Sequence, residues 1–420
     1  MSGGRMQTTD ESRRLDELVQ VVSQQVGYGD KKSDLPYIGL EHIPEGGGKI
    51  LGVASSTVSA STNFVFRPGD ILFGKLRPYL RKSVQVDFEG YCSTDIIVLR
   101  TSGEADQRYA AWMLQSDAVF HIANQTAIGT RMPRTSWSSI RDIIVHAPSI
   151  PEQRRIAEIL DTVDEAIQQT EAVIAKLKEM KQGLLHDLLT RGLDENGELR
   201  DPVAHPELFK DSPLGRIPRE WEVRQLGSLC YLLNGLAFKP EEWAESGLPI
   251  IRIQNLNGGV DFNYFAGRVR REYIIPPGTL LFSWSGSRGT SFGPFIWLGP
   301  VGVLNQHIFR VTPLDGVRQG WFYYALDDVR RRVERHAHGG SGLVHVRRGD
   351  LEKYLIATPP ESEQKRIESM LSVYDERIRS EEKFRDKLNL SKGGLMQDLL
   401  TGCVRVPVPS THPETVEATA

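Results

Sequence analysis

From Ile156 onward, apolar side chains return at alternating steps of four and three: Ile156, Leu160, Val163, Ile167, then Ile174, Leu177, Leu184 and Leu188, with Thr170 and Lys181 in the same phase. A heptad seam kept over about five heptads predicts a long amphipathic helix of the coiled-coil kind. Pro151 stands where a first-turn proline is tolerated, and Gly192 follows the last apolar turn, where glycine favours a C-cap. Some 40 residues at about 1.5 Å each would span about 60 Å. One amphipathic helix of that length needs a partner surface. A second seam supplies it: Ile367, Leu371, Tyr374, Ile378, Leu388, Leu395 and Leu399, with Glu381, Arg385 and Lys392 in phase. The stretch Pro148–Arg191 aligns without a gap on Pro359–Gly402, 211 residues later. The copies share Glu152/Glu363, Gln153/Gln364, Arg155/Arg366, Asp164/Asp375, Lys181/Lys392, Asp187/Asp398 and Thr190/Thr401. Such a period is too long for a solenoid and describes two similar halves, each ending in the same helix. Antiparallel pairing of the copies about a pseudo-two-fold axis would bring Thr170 and Ile174 to Glu381 and Arg385 as a polar, register-fixing centre. Alternatively, Phe384 takes the seam and both charges face water.

The remainder has strand-like periodicity. Leu35–Ile43 matches Leu248–Leu256, Phe66–Lys75 matches Ile275–Trp284, and Cys92–Arg100 is similar to Val303–Val311. Gly129 and Gly340 keep the 211-residue offset, as do Leu15 and Leu226. Short β-branched runs bounded by Pro-Gly, Gly-Gly and Asn-Gly turns predict strands, with weaker helical pieces at Asp106–Ala118 and Trp321–Arg335. The fold class is therefore α+β: two globular α+β units, each followed by a long α-helix, the helices pairing as an antiparallel coiled coil. The expected divisions are a flexible N-terminus over 1–11, a first globular domain over 12–150, a helix over 151–192 and a linker over 193–218. A second globular domain over 219–360, a helix over 361–402 and a tail over 403–420 complete the chain.

Composition narrows the function. No run of about 18 apolar residues predicts a membrane span, and the first residues, MSGGRMQTTDESRR, lack the apolar core of a secretory signal. Cys92, Cys230 and Cys403 are odd in number and far apart, which suits packing roles in a reducing cytoplasm. Charge is uneven: residues 31–147 hold 13 Lys and Arg against 11 Asp and Glu, 221–357 hold 16 against 12, and 148–220 hold 10 against 15. The excess of base lies outside the helices, a pattern pointing toward nucleic acid.

Catalytic patterns are missing. There is no phosphate loop, HExxH, Cys/His zinc cluster or GxSxG elbow, and no Asn/Asp-Pro-Pro-aromatic signature of amino-methyltransferases. Acid-x-Lys triplets such as Glu179–Lys181 and Glu381–Lys383 fall inside the helices, where such spacing is an ordinary solvated face, and His336 with His338 reads as an exposed basic segment in preference to a metal pair. Polar donors do crowd the loops, with Lys75, Arg77, Arg81, Lys82, Arg131 and Arg134 in the first half and Gln254, Asn255, Arg268, Arg270, Arg271, Arg288, His345, Arg347 and Arg348 in the second, where Arg330 and Arg331 crowd one helix. Arg, Gln and Asn can read purine edges bidentately, and Lys and Arg neutralise phosphates.

The two turn-then-helix segments PSIPEQRRIAEIL and PPESEQKRIESML, their ends GLLHDLLTRG and GLMQDLLTGC, and the lead-in FKDSPLGRIPREWEV at Phe209–Val223 occur in this order. With PGDILFGKLRPYLRK and STDIIVLR, they make the chain resemble the DNA-specificity subunit of a type I restriction–modification system over about residues 12–405. The resemblance implies that each globular half is a target recognition domain reading one part of a split double-stranded DNA site. It implies that the helices space these domains and dock two methyltransferase subunits, which carry S-adenosylmethionine and modify adenine. A restriction–translocase partner would use ATP and Mg, and this chain would catalyse nothing. The first domain lacks the Gly-x-Ile-Pro-x-x-Trp lead-in seen at Gly215–Trp221, and GSRGTSFG replaces RPYLRKSV in the second, so an asymmetric target is expected. Two rival readings are a recognition subunit of a methylation-only or other defence complex, and a structural coiled-coil adaptor.

Overall fold

Both seams form single helices, Ile150–Thr190 and Glu361–Leu400, in the computed structural model, which describes residues 11–336 and 342–408. Pro151 lies in the first turn of the first helix, where its missing N–H costs nothing. Gly192 and Gly402 end the two helices with φ of 64° and 74°, the left-handed backbone that favours glycine. A Cβ at Gly192 would fall 2.3 Å from a Glu363 carboxylate oxygen, so the turn has no room for a side chain. Gly340 and His338 lie outside the described residues, as do the first ten residues and the chain from 409 on.

The chain divides into two units, Met1–Val173 with Glu381–Ala420, and Ile174–Ser380. Each holds one globular domain and a part of both helices.

The two globular domains have the same internal plan. In the first unit, Val19–Val21, Ile96–Thr101, Ile71–Gly74 and Ser83–Gln85 form an antiparallel four-stranded sheet in that order. A five-stranded sheet contains a parallel pair, Pro36–Ile38 with Gly90–Cys92. In the second unit, Cys230–Asn234, Ile308–Pro313, Leu280–Ser283 and Gly293–Ile296 repeat the antiparallel sheet, and Leu248–Ile251 with Gly302–Leu304 repeats the parallel pair. Helices Gln107–Leu114 and Asp117–Gln125 bury Tyr109, Trp112 and Phe120 in the first unit. Gln319–His336 buries Trp321 and Phe322 in the second. Cys92 and Cys230 are packed in these cores, where burial pushes both thiols up, Cys230 to about 12.

Inside each unit the helix portions run antiparallel. In the first, Ile156 and Leu160 share a core with Leu395, Leu399 and Leu400, and Lys392 binds Asp164 at 2.5 Å. In the second, Leu185 and Leu188 share a core with Ile367 and Leu371, and Lys181 binds Asp375 at 2.5 Å. These two ion pairs join repeated residues in exchanged roles. Every seam residue is buried or half-buried: Val163, Leu177, Leu184, Tyr374, Leu388 and Leu395 are half-buried, and Ile167, Ile174 and Ile378 buried. Phe384 is 51% exposed, so it does not take the seam. Thr170 is buried with its hydroxyl on the Ala166 carbonyl, and Glu381 and Arg385 are half-buried, Arg385 pairing with its neighbour Asp386.

The helix starts are fastened to the domains by repeated glutamines. Gln153 accepts from the Asp106 amide at 2.8 Å and donates to the Pro148 carbonyl, and Gln364 accepts from the Arg318 amide at 2.8 Å and donates to the Pro359 carbonyl. Beside them, the repeated glutamates are buried and anchor chain that follows each helix. Glu363 accepts from the Leu193 amide at 2.7 Å, from Arg200 at 2.6 and 3.2 Å and from the Trp221 indole at 3.0 Å. Glu152 accepts from Arg405 at 2.9 and 2.6 Å and from the Val406 amide at 3.0 Å, while Arg405 also grips Glu11.

These anchors bear on the expected linker and tail. Residues 193–218 are not a bare linker: Leu193 bridges Leu199, Phe209–Ser212 pairs with Gly215–Pro218, and Leu193, Phe209 and Ile217 are buried. In the tail, Arg405 and Val406 are anchored, and Val406 is buried against the first core. A pH dependence follows. The bonds from Arg405 hold Glu152 below the ordinary carboxylate range. A lowered carboxylate pKa contributes stability above its unfolded value near 4.5 and loses that contribution as pH falls through the lowered value. Arg405→Ala is therefore expected to lower the melting temperature at pH 7, with the gap to the parent protein narrowing below about pH 4. Melting curves across that range check it. Among the described residues, no helix is long and apolar enough to cross a membrane.

Candidate nucleic-acid interface

In both domains, the central strand of the antiparallel sheet runs out into a loop that is stitched to a second loop arriving just before the long helix. In the first domain, the strand ends at Gly74. The Lys75 amide donates to the Asp95 carbonyl at 3.0 Å, and its carbonyl accepts from Thr135 at 2.9 Å. Leu76 bridges Arg134, and the Arg77 amide donates to Pro133 at 2.7 Å. The Arg134 guanidinium forks onto Asp95 at 2.9 and 3.1 Å, holding that carboxyl below its ordinary range. Beyond the stitch, Arg77 and Arg81 both adopt left-handed backbone, φ 51° and 53°, around the turn Pro78–Leu80. Non-glycine residues held there cost on the order of 1–3 kcal/mol each, and the turn is tied down by the Gly46 amide on Leu80. It presents Tyr79, 56% exposed, near the stitched loop that carries exposed Ile128, Arg131 and Met132.

The second domain builds the same junction from other side chains. Its strand ends at Ser283. The Trp284 amide donates to the His307 carbonyl at 3.2 Å, and its carbonyl accepts from Val346 at 3.0 Å. Ser285–Ser287 then pairs with Leu343–His345. Trp284 thus takes the place of Lys75, His307 that of Asp95, and His345 that of Arg134. The indole lies 4.9 Å from the His345 ring at 82° and 5.0 Å from the His307 ring, stacks on Phe309, and donates to Asn234 at 2.8 Å. His307 Nδ1 is buried without a hydrogen-bond partner.

The candidate donors sort into two groups. Several are held by intramolecular partners. Arg81 reaches Asp117 and the Gln115 carbonyl over the Phe120 ring, Lys82 binds the Leu40 carbonyl at 2.8 Å, and Arg134 holds Asp95. Asn255 is buried and bonds to the Arg252 amide and to the Gly259 and Asp261 carbonyls, shaping its own loop. Arg330 and Arg331 pair along their helix with Asp327 and Glu334, Arg348 with Glu352, and Arg270 with Glu272 and the Tyr273 hydroxyl. Arg288 donates its amide to Gly342 and is exposed. Lys75 is half-buried at the junction, and Arg77, Arg131, Gln254, Arg268, Arg271, His345 and Arg347 are exposed. Asp95, Trp284, His307, Asn234 and Tyr79 escaped the sequence reading, although Lys75 and Trp284 already end the matched stretches Phe66–Lys75 and Ile275–Trp284. Among the described residues, no three His, Cys, Asp or Glu side chains gather to hold a metal, and His336 sits on the Arg332 carbonyl.

Each domain thus offers a loop junction with exposed cations beside it. Exposed cations of this kind are suited to contacting an anionic polymer. Comparison with known proteins agrees. The family described as "Type I restriction modification DNA specificity domain" matches residues 11–179 and 218–390. The specificity subunit of the type I restriction enzyme MjaVIII from Methanocaldococcus jannaschii is 24% identical over 394 residues, covering 88% of this chain and 86% of that protein. The EcoBI specificity subunit from Escherichia coli is 26% identical over 156 residues, 36% of this chain and 32% of its own. Among solved structures, the type I restriction–modification S subunit from M. genitalium superposes with a TM-score of 0.56 at 16% identity, covering 94% of this chain and 98% of that one. A chain solved in work on complex assembly and conformational transition of the type I R-M system gives 0.55 at 19% identity, covering 94% and 99%.

Proposed function

Because the chain belongs to the type I restriction–modification DNA specificity family, we propose that it is the subunit reading a bipartite, asymmetric double-stranded DNA target, each domain recognising one part. The paired helix portions seat two methyltransferase subunits, and restriction–translocase subunits join them in the cytoplasm. The chain itself catalyses nothing: S-adenosylmethionine is used by the methyltransferases, and ATP and Mg by the restriction partner. The observation that carries this reading is the shared loop junction, constant in backbone and different in side chains between the domains. A scaffold that must read two unlike sequences calls for that combination, since backbone contacts position and base contacts specify.

Exposed Arg77, Arg131, Arg268, Arg271 and Arg347 serve as phosphate or base-edge donors. Counterion release then governs affinity, with a slope of about −0.9 in log K against log salt for each phosphate neutralised. For the complex reconstituted with its methyltransferase, six to ten phosphate contacts would cost on the order of 10³–10⁵ in affinity between 50 and 200 mM salt. Fluorescence anisotropy against a duplex measures this slope. A flat response would remove DNA reading and leave a structural adaptor.

A further inference from the structure

We infer that Lys75, Asp95 and Arg134 in the first domain, and Trp284, His307 and His345 in the second, are the corresponding specificity-determining sets, each deciding bases within its own half-site. The inference rests on the DNA-reading function proposed above and goes further by assigning positions and chemistry.

Three observations carry it. First, the backbone correspondence is fixed by hydrogen bonds, so the two trios occupy one structural position. Lys75 and Trp284 each donate to the carbonyl of the residue facing them, at 3.0 and 3.2 Å, and each accepts from the returning loop, at 2.9 and 3.0 Å. Second, the chemistry at that position is exchanged as a set. One junction is ionic, an arginine forked onto a carboxylate. The other is aromatic, two imidazoles on an indole. A position serving only the fold has no need of such a change, because the same backbone pairing is made with either trio. Third, the side chains that face outward are held in place by those that do not. Arg134, with its side chain 44% exposed, is aimed by Asp95. His345 is exposed and braced against Trp284, whose own N–H is engaged by Asn234 and so is not itself a reader. Pre-organised readers lose little conformational freedom on binding, which is where specificity is gained.

The roles follow. Arg134 presents a permanently cationic edge, suited to guanine O6 and N7 in the major groove. His345 presents a ring with one donor and one acceptor when neutral, able to meet a purine N7 or an exocyclic amine. Lys75, Asp95, Trp284 and His307 are positioning residues, Lys75 through the backbone bonds that join the two loops.

The test uses the complete complex with its methyltransferase and two duplex libraries, each randomised in one half-site of the target. Discrimination is measured by competition binding followed by sequencing. His345→Ala is expected to reduce discrimination in the second domain's half-site about tenfold, as the loss of one base contact implies, and to leave the other half-site unchanged. Arg134→Ala does the converse. His345→Gln, which keeps a hydrogen-bonding head and guards against a folding artefact, retains or redirects discrimination at the same positions. Unchanged discrimination in both alanine variants, or equal loss in both half-sites, overturns the inference. Failure of the parent complex to discriminate in either library would instead overturn the DNA-reading function, so the two failures are distinct.

Discussion

Leu371→Asp is expected to unfold the second unit and to abolish its assembly with partner subunits. Leu371 is fully buried in a core with Leu188, Trp221, Trp321 and Ile367. Removing a leucine from such a site costs about 2–5 kcal/mol. A carboxyl group placed there without a partner adds several kcal/mol of desolvation. The sum rivals the whole stability of a typical domain, about 5–15 kcal/mol. Leu160→Asp should do the same in the first unit, where Leu160 is also fully buried, with Ile156, Ala157 and Leu399 in the same core. Leu390→Asp is the control: Leu390 is 80% exposed on the same helix as Leu371, and its replacement should leave melting within about 0.5 kcal/mol of the parent. Calorimetry and limited proteolysis read folding, and co-purification reads assembly. Native melting in Leu371→Asp would mean that the seam is misassigned.

Glu363→Ala is the second large effect. The carboxylate is 2% exposed and receives the Leu193 amide, the Trp221 indole and the Arg200 fork. Its removal leaves three donors without their acceptor, one of them a guanidinium whose side chain is 10% exposed. Breaking a buried ion pair from one side costs about 3–5 kcal/mol. The double variant Glu363→Ala, Arg200→Ala should be less destabilised than the sum of the singles, because the stranded charge is gone. Equal and additive losses from the two singles would mean that the pair is not coupled. The related node at Glu152 should respond less, since Arg405 has a side chain 56% exposed and solvent can take over its hydrogen bonds.

Much of the architecture was legible in the sequence because it is periodic or repeated. The seams depend on spacing alone, so helices at Ile150–Thr190 and Glu361–Leu400 fall within two residues of the expected ends. The matched strands Leu35–Ile43 and Leu248–Leu256 both supply the strand of a parallel pair. What the sequence hid are contacts between residues far apart in the chain. Nothing near Arg81 announces Asp117 as its partner, nor does anything near Lys82 announce the Leu40 carbonyl, so both stood among the DNA donors. Arg330 and Arg331 have acidic partners within four residues, a helical spacing that could have marked them as surface ion pairs. The span 193–218 was expected as a linker, yet Leu193, Phe209 and Ile217 are buried while Val203 is 88% exposed, a division that its sequence alone does not mark. Within the junction, Asp95 and His307 become meaningful only when the loop from Arg134 or His345 closes over them.

The central claim is that two domains on one scaffold read two different half-sites. Long-read methylation mapping of the host genome, with this chain present and deleted, tests it most directly. The expected result is an adenine-methylated motif made of two unlike parts separated by a fixed number of unspecified base pairs, disappearing when the chain is deleted. A palindromic motif, or a methylation pattern unaltered by the deletion, would contradict it.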